Sequence, residues 1–268
     1  MSATSIVVSQ TRHNLLATVR AGSAIALGIV MPVVFWLGAS TLFGSDSLGG
    51  DTPVDVRNAG ETPDLRTFYV GGFMAYSVIY AAFVALLPDI VDLRERGLLK
   101  RLRGTPLPLP AFVAARFVIA LAITSVGVAA IALLGWAVFD VTTPAAAIVG
   151  VVVYTVAGTI TFACLAVAAT TVTRTQSGAQ GFSNGIGIVL AMISGVFFEP
   201  GILPDAVRSV ASFLPLEPLA NGFQSQHVTD ASGVSLDARN LGVLAAWTAA
   251  AVAVVALRGF RWSPRQRR

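Results

Sequence analysis

From Phe68 to Pro88 the chain carries no charged side chain. The same holds for Ala21 to Phe43, Phe117 to Phe139, Ala145 to Thr170, Gly181 to Phe198 and Leu241 to Leu257. A helix rises about 1.5 Å per residue, so roughly 20 apolar residues cross a hydrocarbon core of about 30 Å. No water is present there to bond the backbone, and a helix satisfies its own N–H and C=O groups. These runs predict an all-α integral membrane protein with six transmembrane helices, forming one membrane domain over residues 1–268. Composition agrees, with 12% charged residues against about 25% in soluble domains, 55% hydrophobic residues and a mean hydropathy of +0.75. The first run follows Arg12 and Arg20. It is too long for the apolar core of a signal peptide and five more runs succeed it, so it reads as an uncleaved first span.

Lysine and arginine near span ends are retained on the cytoplasmic side. With the N-terminus inside, all but Arg57, Arg66, Arg208 and Arg239 of the 18 basic residues are cytoplasmic. Both termini are therefore expected in the cytoplasm. Topology then accounts for the formal charge of +4 and the pI of about 9.8, and no nucleic-acid partner is needed to explain them. On the far side, Gly44 to Thr67 reads as a loop and Glu199 to Asn240 as an extramembrane segment. Within the second, Leu203, Val207, Val210, Phe213 and Leu214 recur at helical spacing, which predicts a short amphipathic helix at the outer membrane surface or a lid on the bundle.

An ion-coupled carrier or proton pump keeps an ionisable side chain at membrane depth. The six runs hold none; Glu199, beside Pro200 at the outer end of the fifth, comes nearest and is a candidate outer gate. ATP hydrolysis within the chain would need a P-loop, and the only lysine, Lys100, follows Leu99 rather than glycine. His13 and His227 stand far apart, and Cys164 is alone in an apolar run, so no hydrolase pair, disulfide framework or metal cluster is expected. Uphill movement would have to draw energy from another polypeptide.

The charge missing from the spans gathers in VDLRERGLLKRLRGTPLPLP, Val91 to Pro110. As one helix it would place Val91, Leu98, Leu99 and Leu102 on a stripe with Glu95 in its middle. An interfacial helix in lipid would explain the arginines, but a glutamate in the apolar stripe suits a protein groove that also offers a polar group. Thr105 and Pro106 would end this helix, and Pro108 and Pro110 would form a stiff extended joint into the third span.

At these residues the chain resembles the permease subunits of ABC-2 type exporters, in particular the drug and polyketide exporter branch. The resemblance rests on Glu95, Gly97, Leu98, Leu102, Thr105 and Pro106 between the second and third spans. It extends to Ser194–Phe223, SGVFFEPGILPDAVRSVASFLPLEPLANGF, with two Leu-Pro steps flanking a short amphipathic helix. Glu199 departs from the family pattern, in which a bare proline is more usual. The resemblance implies a dimer of six-span subunits, identical or paralogous, each engaging a cytoplasmic ABC ATPase through the Val91–Pro110 loop. ATP and Mg would sit on that partner, with no cofactor in this chain. It also implies an N-terminal amphipathic helix on the inner surface, for which Leu15, Leu16 and Val19 are candidates. Small residues let membrane helices approach closely, and Gly181, Ser183, Gly185 and Gly187, with Asn184 beside them, mark a helix contact either inside one bundle or between subunits.

With that resemblance, the leading expectation is an ATP-driven exporter of lipid-like, drug-like or polyketide-like substrates, in a bacterial cytoplasmic membrane. The alternatives are a membrane scaffold or assembly protein without a transport pathway and, third, an ion-coupled secondary transporter.

Overall fold

The structure, a computed structural model, describes residues 29–43, 64–98, 109–198, 204–227 and 234–258. The expected N-terminal interfacial helix, Leu99, Leu102, Thr105, Pro106, Glu199 and Pro200 lie outside these residues.

Asp64 opens the most buried element by accepting a hydrogen bond from the Thr67 backbone N–H at 3.0 Å, the arrangement of a helix N-cap. From it α2, Leu65–Ile79, runs into a π-helical turn at Tyr80–Ala85 and continues as α3, Leu86–Glu95. The preceding element, α1, is Met31–Phe43. Pro88 gives the turn a physical cause. Proline has no N–H for the carbonyl four residues back and its ring crowds that carbonyl. That group belongs to Val84, inside the π turn, and the Ser183 hydroxyl donates to it at 3.1 Å. The helix therefore continues past the expected end at Pro88 to Glu95.

Next come α4, Leu109–Phe139; a 3₁₀ turn at Ala145–Ala147; α5, Ile148–Ala169; α6, Gln176–Ile193; α7, Asp205–Ala211; α8, Leu216–Ser225; and α9, Ala238–Arg258. Four described helices are long and apolar enough to cross a membrane: Leu65–Glu95, Ala114–Phe139, Ala145–Ala169 and Ala238–Arg258. Those four make this a multi-pass membrane protein. The other two expected spans correspond to α1, of which Met31–Thr41 forms a shorter apolar helix, and α6, whose first half carries Gln176, Ser177, Gln180, Ser183 and Asn184.

The α2–α3 rod forms the axis of the bundle, enclosed by α1, α4, α5, α6 and α8. Hydroxyls join the apolar helices: Thr124 and Thr159 meet at 3.0 Å between α4 and α5, and Thr161 and Thr248 at 3.0 Å between α5 and α9. Trp36 of α1 packs edge-on against Phe139 of α4. Asp140 ends α4 in the left-handed region at φ 56°, and the following Val141 N–H returns to Gly135 O at 3.1 Å. Aspartate tolerates that conformation better than most residues.

Two expectations need correction here. Pro110 does not belong to an extended joint, because the chain is already helical at Leu109 and Pro110. In a first helical turn the missing proline N–H has no intrahelical partner to lose. The segment between the expected fifth and sixth spans is not wholly extramembrane either. In α8 every residue but Glu217 is buried, and Leu219 packs against Gly158, ten residues into α5, a depth of about 15 Å. Leu216, Leu219, Ala220 and Phe223 supply an apolar stripe, and the polar residues of α8 find partners inside the bundle. Asn221 accepts from Asn240 at 2.9 Å, and the Gln224 amide donates to Gly195 O at 3.0 Å. Among the described residues of this segment, Val210 of α7, Phe213 just beyond it, Val234 and Leu236 are exposed.

Candidate functional site

The charged end of the second span is where the sequence and the packing converge. Its helix does not carry through the quoted loop. Arg96 closes α3, and Gly97 takes φ +69°, a left-handed conformation that suits glycine because it has no Cβ. Val91 and Leu98 therefore do not share one stripe. Val91 is fully buried in the bundle core, whereas Leu98, past the turn, is 38% exposed.

Four charged side chains of α3 have partners. Asp89 forms an ion pair with Arg116 near the start of α4, and Arg96 donates to Asp92 at 2.9 Å one turn back. Arg94 is only 5% exposed. Its guanidinium donates to Thr170 O at 2.8 Å, Thr173 O at 2.6 Å and Arg174 O at 3.3 Å. Thr170 is the C-cap of α5, where the helix dipole favours a cation, and Thr173 and Arg174 belong to the linker that follows it. Glu95 accepts the Gln176 N–H at 2.9 Å through Oε2. Gln176 is the first residue of α6, whose unpaired N–H groups and dipole favour an anion. The Thr175 hydroxyl completes that cap by accepting from Gly178 N at 3.1 Å.

Adjacent residues of opposite charge thus hold the two ends of the α5–α6 linker, each meeting the helix end that complements it. Glu95, which in sequence appeared to need a polar group from another protein, has one in this chain. Arg94 was missed as a site residue, although a signal was available: Leu87, Ile90, Val91 and Arg94 fall on one helical face, and a cation there must be buried and hydrogen-bonded. Asp89 and Arg116 carried no local signal, since they meet across two helices.

The small residues of α6 separate into two faces. Ser183 and Gly187 are buried against Val84, where a Cβ on Gly187 would stand 2.9 Å from the valine side chain. Gly181 and Gly185 point outward with nothing within 4 Å, and Asn184 is half-buried between these faces. Among the described residues no group of three His, Cys, Asp or Glu side chains gathers where a metal ion could be held. What the charged end can do is mechanical: it joins α3 to α4, α5 and α6 a few residues before Leu98.

A helical bundle with four helices long and apolar enough to cross a membrane defines a class, the multi-pass membrane proteins. The family profile described as ABC-2 type transporter matches residues 6–226, and the chain belongs to that family, as a membrane component of an ATP-binding-cassette transporter. No curated protein matches the chain.

Proposed function

We propose that this chain is the permease subunit of an exporter, carrying a lipid-like, drug-like or polyketide-like substrate outward across the cytoplasmic membrane. A separate ABC ATPase supplies the energy, and a second permease subunit, identical or paralogous, completes the pathway. Family membership supports the transport role, and the observation that carries the docking reading is the turn at Gly97. Immediately beyond it Leu98 is exposed, next to a helix end fixed to α4, α5 and α6. A partner engaging Leu98, with Leu99 and Leu102 following in sequence, would push on a braced lever. Val91 is inside the bundle and takes no part in that surface. An apolar cargo is supported by a groove of about 700 Å³ between α4 and α5, walled by Leu121, Val128, Leu133, Trp136, Val151 and Val152.

Affinity purification of the tagged chain from its own membranes tests this. An ATPase is expected to co-purify, and Leu98→Asp should weaken its retention at least tenfold, since a charge replaces an apolar anchor. Export of a fluorescent lipophilic probe should persist when the proton gradient is collapsed and ATP maintained. Export that stops with the gradient, or a chain that purifies without an ATPase, would overturn the proposal.

A further inference from the structure

The exporter reading leaves open how a push on the loop reaches helices to which the loop is not covalently joined. The chain leads from Leu98 into α4, so movement of that span follows from connectivity. Between α3 and the α5–α6 junction there is no such link; the sequence separations are 76 residues for Arg94 with Thr170 and 81 for Glu95 with Gln176.

We infer that Arg94 and Glu95 are positioning residues that couple the docking loop to α5 and α6, an inference that rests on the exporter reading. Arg94 holds the C-cap carbonyl of α5 at Thr170 and two carbonyls of the following linker, Thr173 O and Arg174 O, and Glu95 holds the amide end of α6. The linker between them is short, and both of its ends are fixed to consecutive residues of a single helix. Displacement of α3 therefore moves the ends of α5 and α6 together. Gly97 lies two residues beyond the clamp, so a force entering at Leu98 passes through it before reaching the π turn. The next contact, Ser183 on Val84 O, lies two turns further along α6, so the clamp is what ties the first two turns of α6 to the end of α3. The two charges are also specific to their places. Each matches the dipole of the helix end it grips, and exchanging them would set a cation against amide donors and an anion against carbonyls.

The test uses the whole assembly, purified through a tag on this chain and reconstituted in lipid nanodiscs, with Cys164→Ala removing the native thiol. Spin labels at Leu257→Cys of α9 and Phe182→Cys of α6 report one distance; labels at Leu257→Cys and Val118→Cys of α4 report another. All three positions are exposed in this chain. Both distances are measured with and without Mg-ATP and vanadate.

With the clamp intact, both distances should change. In Glu95→Ala, an exposed substitution that leaves the core untouched, the α4 response should remain. The fraction of molecules showing the α6 response should fall roughly threefold, the scale of a lost charge at a helix end. Glu95→Gln, which keeps an acceptor oxygen, should recover part of it, and Arg94→Lys should behave similarly. A purely structural role would lower both responses together and would also overturn the inference. An α6 response equal to that of the intact clamp in Glu95→Ala refutes the coupling role while leaving the exporter reading in place. Absence of any ATP response with the clamp intact refutes the exporter reading and the inference with it.

Discussion

A methyl group added at Gly71 would stand 2.6 Å from both the Cα and the N of Gln224, and 2.8 Å from its Cγ. Ordinary carbon contacts lie at about 3.5–4.0 Å, so α8 would have to withdraw by roughly 1 Å. A side chain could rotate away from the clash, but two of these three atoms are backbone. Withdrawal is opposed on both sides of the contact. The Gln224 amide bonds to Gly195 O at 3.0 Å and Phe68 O at 3.4 Å, and neighbouring Gly72 lies close against Val196. Overpacking costs about 1–3 kcal/mol, and a stretched buried hydrogen bond adds about 1 kcal/mol. At roughly 2–4 °C per kcal/mol for a chain of this size, Gly71→Ala should lower the melting temperature by about 5–10 °C. Gly185→Ala provides the matched control: its Cβ would meet nothing within 4 Å, so no more than about 0.5 kcal/mol is expected. Thermal unfolding of both variants in the same detergent, followed by loss of the monodisperse peak, is the assay. Equal melting temperatures for the two would refute the close approach of α8 to α2, and with it the re-entry of α8 into the bundle.

Orientation is checked by labelling with an impermeant maleimide in intact cells. In a Cys164→Ala background, cysteines at Asp51 and Ser232 should react and one at Arg265 should not, following the distribution of basic residues. The His227 imidazole is held below its usual value of 6.5, chiefly by burial, which outweighs the opposing hydrogen bond to Phe223 O. Its folded form stays neutral while the unfolded chain takes up a proton. Stability should thus be constant above about pH 7 and fall as pH drops below 6.5, by at most about 1.4 kcal/mol per pH unit. A flat melting profile from pH 7 to pH 5 would refute this, and His227→Gln should remove the slope if His227 is its source. Ser183→Ala should cost about 1–2 kcal/mol, because the Val84 carbonyl faces the missing N–H of Pro88. A melting temperature like that of the intact chain would mean that another donor serves that carbonyl.

What the sequence determined by itself is the solvent of this chain. A charge-free run long enough to cross lipid admits few structures, because a backbone without water must bond to itself, and that argument needs no knowledge of neighbours. It placed α2, α4, α5 and α9, and it marked the Val91–Pro110 segment as different from the rest. It erred where the outcome depended on a partner distant in sequence. Leu216, Leu219, Ala220 and Phe223 show the helical period of α8, but an isolated reading cannot know that Asn240 awaits Asn221 and that Gly71 makes room for Gln224. Without those contacts, burying the polar residues of α8 would be unfavourable, and a surface segment is the reasonable expectation. Where the helix runs through Pro88, Ser183, 99 residues from Val84, supplies a donor to the Val84 carbonyl. The partner of Glu95 within this chain was not legible for the same reason, since the first amide of α6 is a backbone group that no side-chain pattern reveals. Periodicity along the chain fixes which faces are apolar, whereas hydrogen bonds across the bundle decide where polar groups can be buried, and only the tertiary structure brings those donors and acceptors together.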